Sequence, residues 1–86
     1  MLSDSISAAV PLWISELEAL GGPDDSDLRQ ACEVAGVLAE RGEGLIFGGA
    51  GAAGLFNRFA RAIAVLAFTP GGVTVFGRHY EGGHHD

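Results

Sequence analysis

The sequence predicts a small single α+β domain with the element order helix, helix, short strand, helix, strand. Three segments carry apolar residues at helical spacing, and a β-prone run follows at 73–76. With 86 residues, the chain is near the lower size at which one core holds a fold. We divide it into an acidic helical hairpin (1–43), an acid-free, glycine-rich β-α-β or β-hairpin segment (44–80) and a flexible tail (81–86). The hairpin is expected to pack on the C-terminal helix beside a sheet of two or three short strands.

The first helix has one apolar stripe and a proline. The stripe is formed by Ile6, Val10, Trp13, Ile14, Leu17 and Leu20. Because proline is tolerated best in the first turn, Pro11 predicts a helix over 8–20 with Ser7 as its N-cap. The alternative is a longer helix capped by Ser3, which the proline would kink. The run at 21–23, two glycines and a proline, ends the helix in both cases.

The second helix begins at a cluster of capping residues. Asp24, Asp25, Ser26 and Asp27 provide capping side chains and negative charge where the helix dipole favours it. We predict a helix over 26–41 that ends at Gly42. Its apolar positions are Leu28, Ala31, Cys32, Ala35, Leu38 and Ala39. The short connection predicts an antiparallel hairpin of the first two helices, with most of their acidic residues facing outward.

The C-terminal half contains a third apolar segment and the β-prone run. A short apolar run at 45–47 predicts a strand. A helix is indicated by the spacing of Leu55, Phe56, Phe59, Ala62, Ile63, Leu66 and Ala67, with Asn57, Arg58 and Arg61 on the opposite side. The alternative makes 62–68 a strand that turns at 69–72 and pairs with 73–80. From Gly82 onward we expect a frayed tail.

The apolar content is high for a chain of this size. Apolar residues make up 48% of the sequence, and the mean hydropathy is +0.27. This excess favours either a homodimer or a surface that binds another protein. Trp13, the single tryptophan, is expected to lie in the core or to help anchor such an interface. Cys32 has apolar neighbours and is predicted to be a buried, inert thiol.

The charge is distributed unevenly. Residues 1–43 carry nine acidic residues and two arginines, a net charge of −7, whereas residues 44–86 carry three arginines and two acidic residues. No basic stripe is present, which argues against direct binding of nucleic acid. No segment has the length of a membrane-spanning helix, and the N-terminal sequence lacks the features of a signal peptide. We therefore expect a cytoplasmic protein that does not contact membranes.

A glycine-alanine turn occupies residues 49–54. Its pattern, G-x-G-x-x-G, resembles the phosphate-binding turn of the Rossmann dinucleotide-binding family. The resemblance implies that Gly49, Gly51 and Gly54 would permit close approach of a pyrophosphate, and that Arg78 would accept a 2′-phosphate. The interpretation that we favour is a tight connector, because a dinucleotide site needs strands that 86 residues do not provide. No cofactor is therefore predicted.

The pattern of metal-binding and nucleophilic residues predicts neither a metal site nor an enzyme. The candidate ligands are Cys32, His79, Glu81, His84, His85 and Asp86, and their spacing does not match a zinc site. The serines lie in the first 26 residues and the histidines near the other end, with no nucleophile motif. Capping accounts for the aspartates at 24–27.

The sequence favours a small acidic, non-catalytic protein that binds another protein as an inhibitor or adaptor. One version, by analogy of size and charge, is an acidic surface that occupies the cationic groove of a nucleic-acid-binding enzyme, as anti-CRISPR or anti-restriction proteins do. The predicted partner-binding residues are Glu16, Glu18, Asp24, Asp25, Asp27 and Trp13. The alternatives are a nucleotide-binding module at 49–54 and a self-associating structural subunit.

Overall fold

The computed structural model shows a small α+β domain over residues 2–41 and 52–82, the part of the chain that it describes, with side chains described over 4–37 and 57–82. The elements in chain order are α1 (Leu2–Ala19), α2 (Asp25–Arg41), α3 (Ala52–Leu66), β1 (Val73–Val75) and β2 (Arg78–Tyr80). The predicted α+β class is confirmed. The strand predicted at 45–47 lies outside the described residues.

The first helix, α1, is longer than the 8–20 segment that we predicted. Pro11 lies inside it rather than in its first turn, and Ser7 is an interior residue instead of the N-cap. Ile6 and Val10 are both fully buried. Burying such side chains stabilises a fold by about 1.5–3 kcal/mol each, which offsets the roughly 3 kcal/mol that an interior proline costs. Core packing thus overrides the proline. The alternative of a longer helix is nearer to the observed extent, but Ser3, its expected N-cap, lies inside α1.

The start of α2 is fixed by two reciprocal hydrogen bonds between Asp24 and Asp27. The Asp27 N–H donates to Asp24 Oδ1 at 2.8 Å, and the Asp24 N–H donates to Asp27 Oδ2 at 3.1 Å. This is the geometry of a capping box, in which each side chain satisfies the other residue's backbone donor. The predicted capping role is confirmed, and α2 begins one residue earlier than expected, at Asp25.

Cys32 is exposed, so the prediction of a buried thiol is wrong. The buried residue is its neighbour Ala31, and Leu28 and Val34 are partly buried against the same core. Successive residues of a helix are rotated by about 100°. A buried face centred on Ala31 therefore turns Cys32 outward.

The third helix, α3, is the centre of the core. It packs against both α1 and α2, whereas the contacts between α1 and α2 are few within the described residues. From Phe59 to Val65 every residue except Arg61 is buried. The helical prediction for this segment is confirmed, and the alternative that made 62–68 a strand is wrong. A tight connection joins α1 to α2, as expected. Each of these helices packs mainly against α3, however, and not against the other as the predicted helical hairpin required.

The two strands form an antiparallel hairpin with Thr74 opposite His79. The turn between them contains Phe76 with a φ of 55° and Gly77 with a φ of 74°. Positive φ at both central residues defines a type I′ turn, which suits the twist of a two-residue hairpin. Phe76 is unusual in this conformation, which costs a residue with a Cβ about 1–2 kcal/mol. Its side chain packs against the core and offsets that cost.

A buried hydrogen bond joins the hairpin to α1. The Tyr80 hydroxyl donates to Ser7 Oγ at 2.9 Å, and both residues are buried. Gly82, where we expected a frayed tail to begin, donates its N–H to the Ala67 carbonyl at 3.1 Å. A Cβ at Gly82 would lie 2.9 Å from Ile14 Cγ2, so the backbone here is packed closely on α1. Residues 83–86 lie outside the described part.

We predict that Gly72→Ala is much more destabilising than Gly71→Ala. Both glycines have positive φ, but a Cβ at Gly72 would collide with the Tyr80 carbonyl oxygen and lie 2.8 Å from Glu81 Cγ, whereas one at Gly71 meets nothing within 4 Å. We expect a loss of about 2–4 kcal/mol for Gly72→Ala and of about 1 kcal/mol for Gly71→Ala. Urea unfolding measures both. Equal losses would contradict the predicted contact between Gly72 and Tyr80.

A double-mutant cycle tests the bond between Tyr80 and Ser7. Each of Tyr80→Phe and Ser7→Ala should lower the free energy of unfolding by about 1 kcal/mol, because one buried hydroxyl then loses its partner. The double variant should lose about 1 kcal/mol less than the sum of the two single variants. Strictly additive losses in denaturant unfolding would show that the two hydroxyls do not interact.

Candidate functional site

Arg61 links the three described helices at the surface. Its guanidinium carbon lies 5.2 Å from the centroid of the Trp13 ring on α1. Its Nη2 lies 3.5 Å from Asp27 Oδ1 on α2. The face of an indole ring attracts a cation, and the carboxylate holds the guanidinium from the other side. Arg61 therefore fixes both outer helices to α3 from the solvent side.

Trp13 is partly buried and packs against the core, as the core interpretation predicted. The Arg61 guanidinium lies over the Trp13 ring, so a partner could contact that face of the indole only if Arg61 moved aside. A partner approaching from this side would meet Arg61 before the indole face. Trp13 thus packs between the core and Arg61, and its role as an interface anchor stays a prediction.

The acidic residues that we predicted to bind a partner fall into two groups. Asp24 and Asp27 cap α2, and Asp27 also pairs with Arg61. Glu16, Glu18 and Asp25 are exposed and form no ion pair with another described residue. Only the second group has carboxylates that are not already committed to the fold.

An apolar surface on α1 faces solvent beside its buried stripe. Leu12 is 73% exposed. Leu20, just after the helix, is 72% exposed, so the prediction that Leu20 belongs to the stripe is wrong. The Ser15 hydroxyl in this surface donates to the Pro11 carbonyl at 3.1 Å, which reduces its polarity. We call this surface the α1 strip; it consists of Ala8, Pro11, Leu12, Ser15, Glu16, Ala19 and Leu20, all of which are exposed. The strip thus places two exposed leucines, two alanines and a proline beside one carboxylate.

A groove of about 290 Å³ lies between α2 and α3. Its floor is apolar and is formed by Ala31, Val34, Val37, Ala62 and Val65. The α2 side carries Asp27, Gln30 and Glu33, and the α3 side carries Arg58 and Arg61. Arg58 is exposed and forms no ion pair with a described residue, unlike Arg61. The groove therefore combines an apolar floor with Arg58, a cation that no described carboxylate neutralises.

The glycine turn that resembles the Rossmann family is described only in part. Gly49 and Gly51 lie outside the described residues, and Gly54 lies in the first turn of α3. The resemblance implies a strand after the helix that is parallel to the strand before it. Here β1 spans three residues and pairs antiparallel with β2, which carries the exposed Arg78. Three residues span about 10 Å, less than half of the roughly 22 Å length of α3, so β1 does not lead back to the start of that helix.

Among the side chains suggested as metal ligands, His79 and Glu81 are neighbours on the hairpin. His79 Nδ1 lies 2.9 Å from the Thr74 hydroxyl, and its Nε2 lies 4.0 Å from a Glu81 carboxylate oxygen. Within residues 4–37 and 57–82 no three His, Cys, Asp or Glu side chains are grouped so that they could hold a metal ion. His84, His85 and Asp86 lie outside this part. No helix in the described part is long and apolar enough to cross a membrane.

No protein-family model, no curated protein and no solved structure matches this chain. Its function is therefore argued from its own surfaces. Both the α1 strip and the groove were missed by sequence reasoning. A second set of apolar positions in α1, at Ala8, Leu12 and Ala19, was a signal for the strip. The groove had no comparable signal, because its two sides come from helices that are distant in the sequence.

We predict that Arg61→Gln lowers the free energy of unfolding by about 1 kcal/mol, the sum of a modest cation–π contact and a surface ion pair. Arg58→Gln is the matched control on the same helix and should change it by less than about 0.5 kcal/mol. Denaturant unfolding followed by the fluorescence of Trp13 measures both. If the two variants lose the same amount, Arg61 does not fix the outer helices as proposed.

Proposed function

We propose that this chain is a small, non-catalytic protein-binding domain, an inhibitor or adaptor, that docks a cationic partner through the α1 strip. The observation that carries the proposal is the exposure of Leu12 and Leu20, at 73% and 72%, on either side of Glu16. These three residues follow one another at intervals of four, so they form one ridge along the helix. A partner would cover apolar surface that otherwise faces water.

The charges on α1 favour a partner with a positively charged surface. The helix contains Asp4, Glu16 and Glu18 and no lysine or arginine. Asp25, at the start of α2, adds an exposed carboxylate close in sequence to the end of the strip. A complementary surface has an apolar centre with arginine or lysine at its edge, since opposite charges steer association and exclude wrong partners. One form of the proposal is a cytoplasmic inhibitor that occupies the cationic groove of a nucleic-acid-binding enzyme.

The non-catalytic part of the proposal is supported by the contacts of the described hydroxyl groups. The Ser7 hydroxyl is buried against Tyr80, and the Ser15 hydroxyl is bonded to the backbone. His79 contacts Thr74 on the adjacent strand. A nucleophile needs a base within hydrogen-bond reach, and the contacts of Ser7 and Ser15 include no histidine. The Thr74 hydroxyl does contact a histidine, but Thr74 and His79 are exposed cross-strand neighbours, and their hydrogen bond joins β1 to β2.

The test is capture of proteins from the native host on three versions of the chain. The baits are the wild type, the double variant Leu12→Ser/Leu20→Ser, and Arg78→Gln as a surface control on β2. We expect a protein that is retained by the wild type and the control and lost on the double variant. In calorimetric titration of that protein, the double variant should bind at least about tenfold more weakly.

A second pair of variants separates charge from apolar contact. Glu16→Gln/Glu18→Gln should weaken binding mainly at low salt, because exposed charges are screened as ionic strength rises. Reversal of Asp24 or Asp27 is a poor test, since both side chains cap α2. The proposal is wrong if the wild type retains no protein, or if the double variant with serines retains the same proteins equally well.

A further inference from the structure

The α1 strip and the groove between α2 and α3 have complementary features within one molecule. The strip is an apolar ridge interrupted by a carboxylate, in the order Leu12, Glu16, Leu20. The groove is an apolar depression with Arg58 at its edge, a guanidinium that forms no ion pair with the described residues. Side chains at intervals of four residues form one of the ridges through which a helix packs on a neighbouring helix.

We infer that the occupant of the groove is the α1 strip of a second copy of this chain. In this contact the leucines of one copy enter the floor around Ala31 and Ala62 of the other, and Glu16 pairs with Arg58. The small alanine side chains allow a helix to approach closely. The inference needs no foreign partner and is therefore independent of the proposed function, although both use the same strip.

The dimensions of the two surfaces agree. Leu12 and Leu20 are separated by eight residues, or about 12 Å along the helix. On the groove side, Arg58 and Val65 are separated by about 10 Å and Ala31 and Val37 by about 9 Å. Leu12 and Leu20 lie on one ridge and are far enough apart for both to contact the apolar floor, which runs from Ala31 to Val37 on α2.

The charges favour this arrangement over a symmetric contact between two α1 strips. Two such strips would bring Glu16 of both copies close together, and α1 has no basic residue to compensate this charge. In the groove, by contrast, Glu16 meets Arg58 while Glu18, on the far side of α1, stays in solvent. Because strip and groove are different surfaces, the contact is heterologous and each copy retains one free strip and one free groove.

Charge reversal on each surface tests the contact. When every copy carries Arg58→Glu, the new carboxylate in the groove of one copy faces Glu16 of the next. When every copy carries Glu16→Arg, the new guanidinium on the strip faces Arg58. Each variant alone therefore places like charges against each other. Each should weaken self-association at least about tenfold relative to the wild type. When the two variants are mixed in equal amounts, every strip meets a groove of opposite charge on the other variant, and association should return. Arg78→Glu, with the same charge change outside the groove, is the matched control and should associate like the wild type.

Sedimentation velocity over a dilution series from millimolar to low micromolar chain measures the average mass, and thermal unfolding verifies that each variant is folded. The inference is overturned if the wild type is monomeric throughout the series. It is also overturned if Leu12→Ser abolishes association while Arg58→Glu does not, since that result would indicate contact between two strips. Recovery in the mixture, with neither variant associating alone, supports it. A monomeric wild type would leave the capture test of the proposed function unaffected.

Discussion

The structure depends on the burial of α3 on nearly all sides. Between Phe59 and Val65 this helix has one exposed residue, and three of its buried positions are alanines. A helix that is apolar almost all round is stable only when neighbours cover it, and alanines let those neighbours come close. The positions of α1 and α2 follow from this requirement, since both must contact α3. The hairpin then covers the remaining side at the end of α3 and near the start of α1.

The outer position of α1 and α2 explains why both candidate surfaces exist. A helix on the outside of the domain has one face for the core and another for solvent. In α1 the solvent face is also apolar, and in α2 and α3 the small side chains along the contact leave a groove. Partner binding and self-association would use the same strip, so one would exclude the other. The relative amounts of partner and chain would then decide which complex forms.

The sequence predicted the existence of the helices well, because apolar residues at intervals of three and four depend only on local geometry. It failed where tertiary contacts outweighed local preference. The preference of proline for the first turn of a helix placed the N-cap of α1 at Ser7. The burial of Ile6 instead favours a helix that begins several residues earlier. The sequence neighbours of Cys32 are apolar, but the contact with α3 decides which side of α2 is buried, and Cys32 lies on the other side. The candidate surfaces were harder to predict, because a helix face is exposed only when no other element packs on it, and the sequence of the helix does not show this.

The hydrogen bond between Tyr80 and Ser7 joins residues that are 73 positions apart. During synthesis α1 is made before α3 and the hairpin, which cover its buried stripe in the folded protein. Local helix formation is fast, but the contact between Ser7 and Tyr80 closes a long loop and must await the synthesis of β2. In that interval α1 presents two apolar surfaces to other molecules, the stripe that will be buried and the α1 strip.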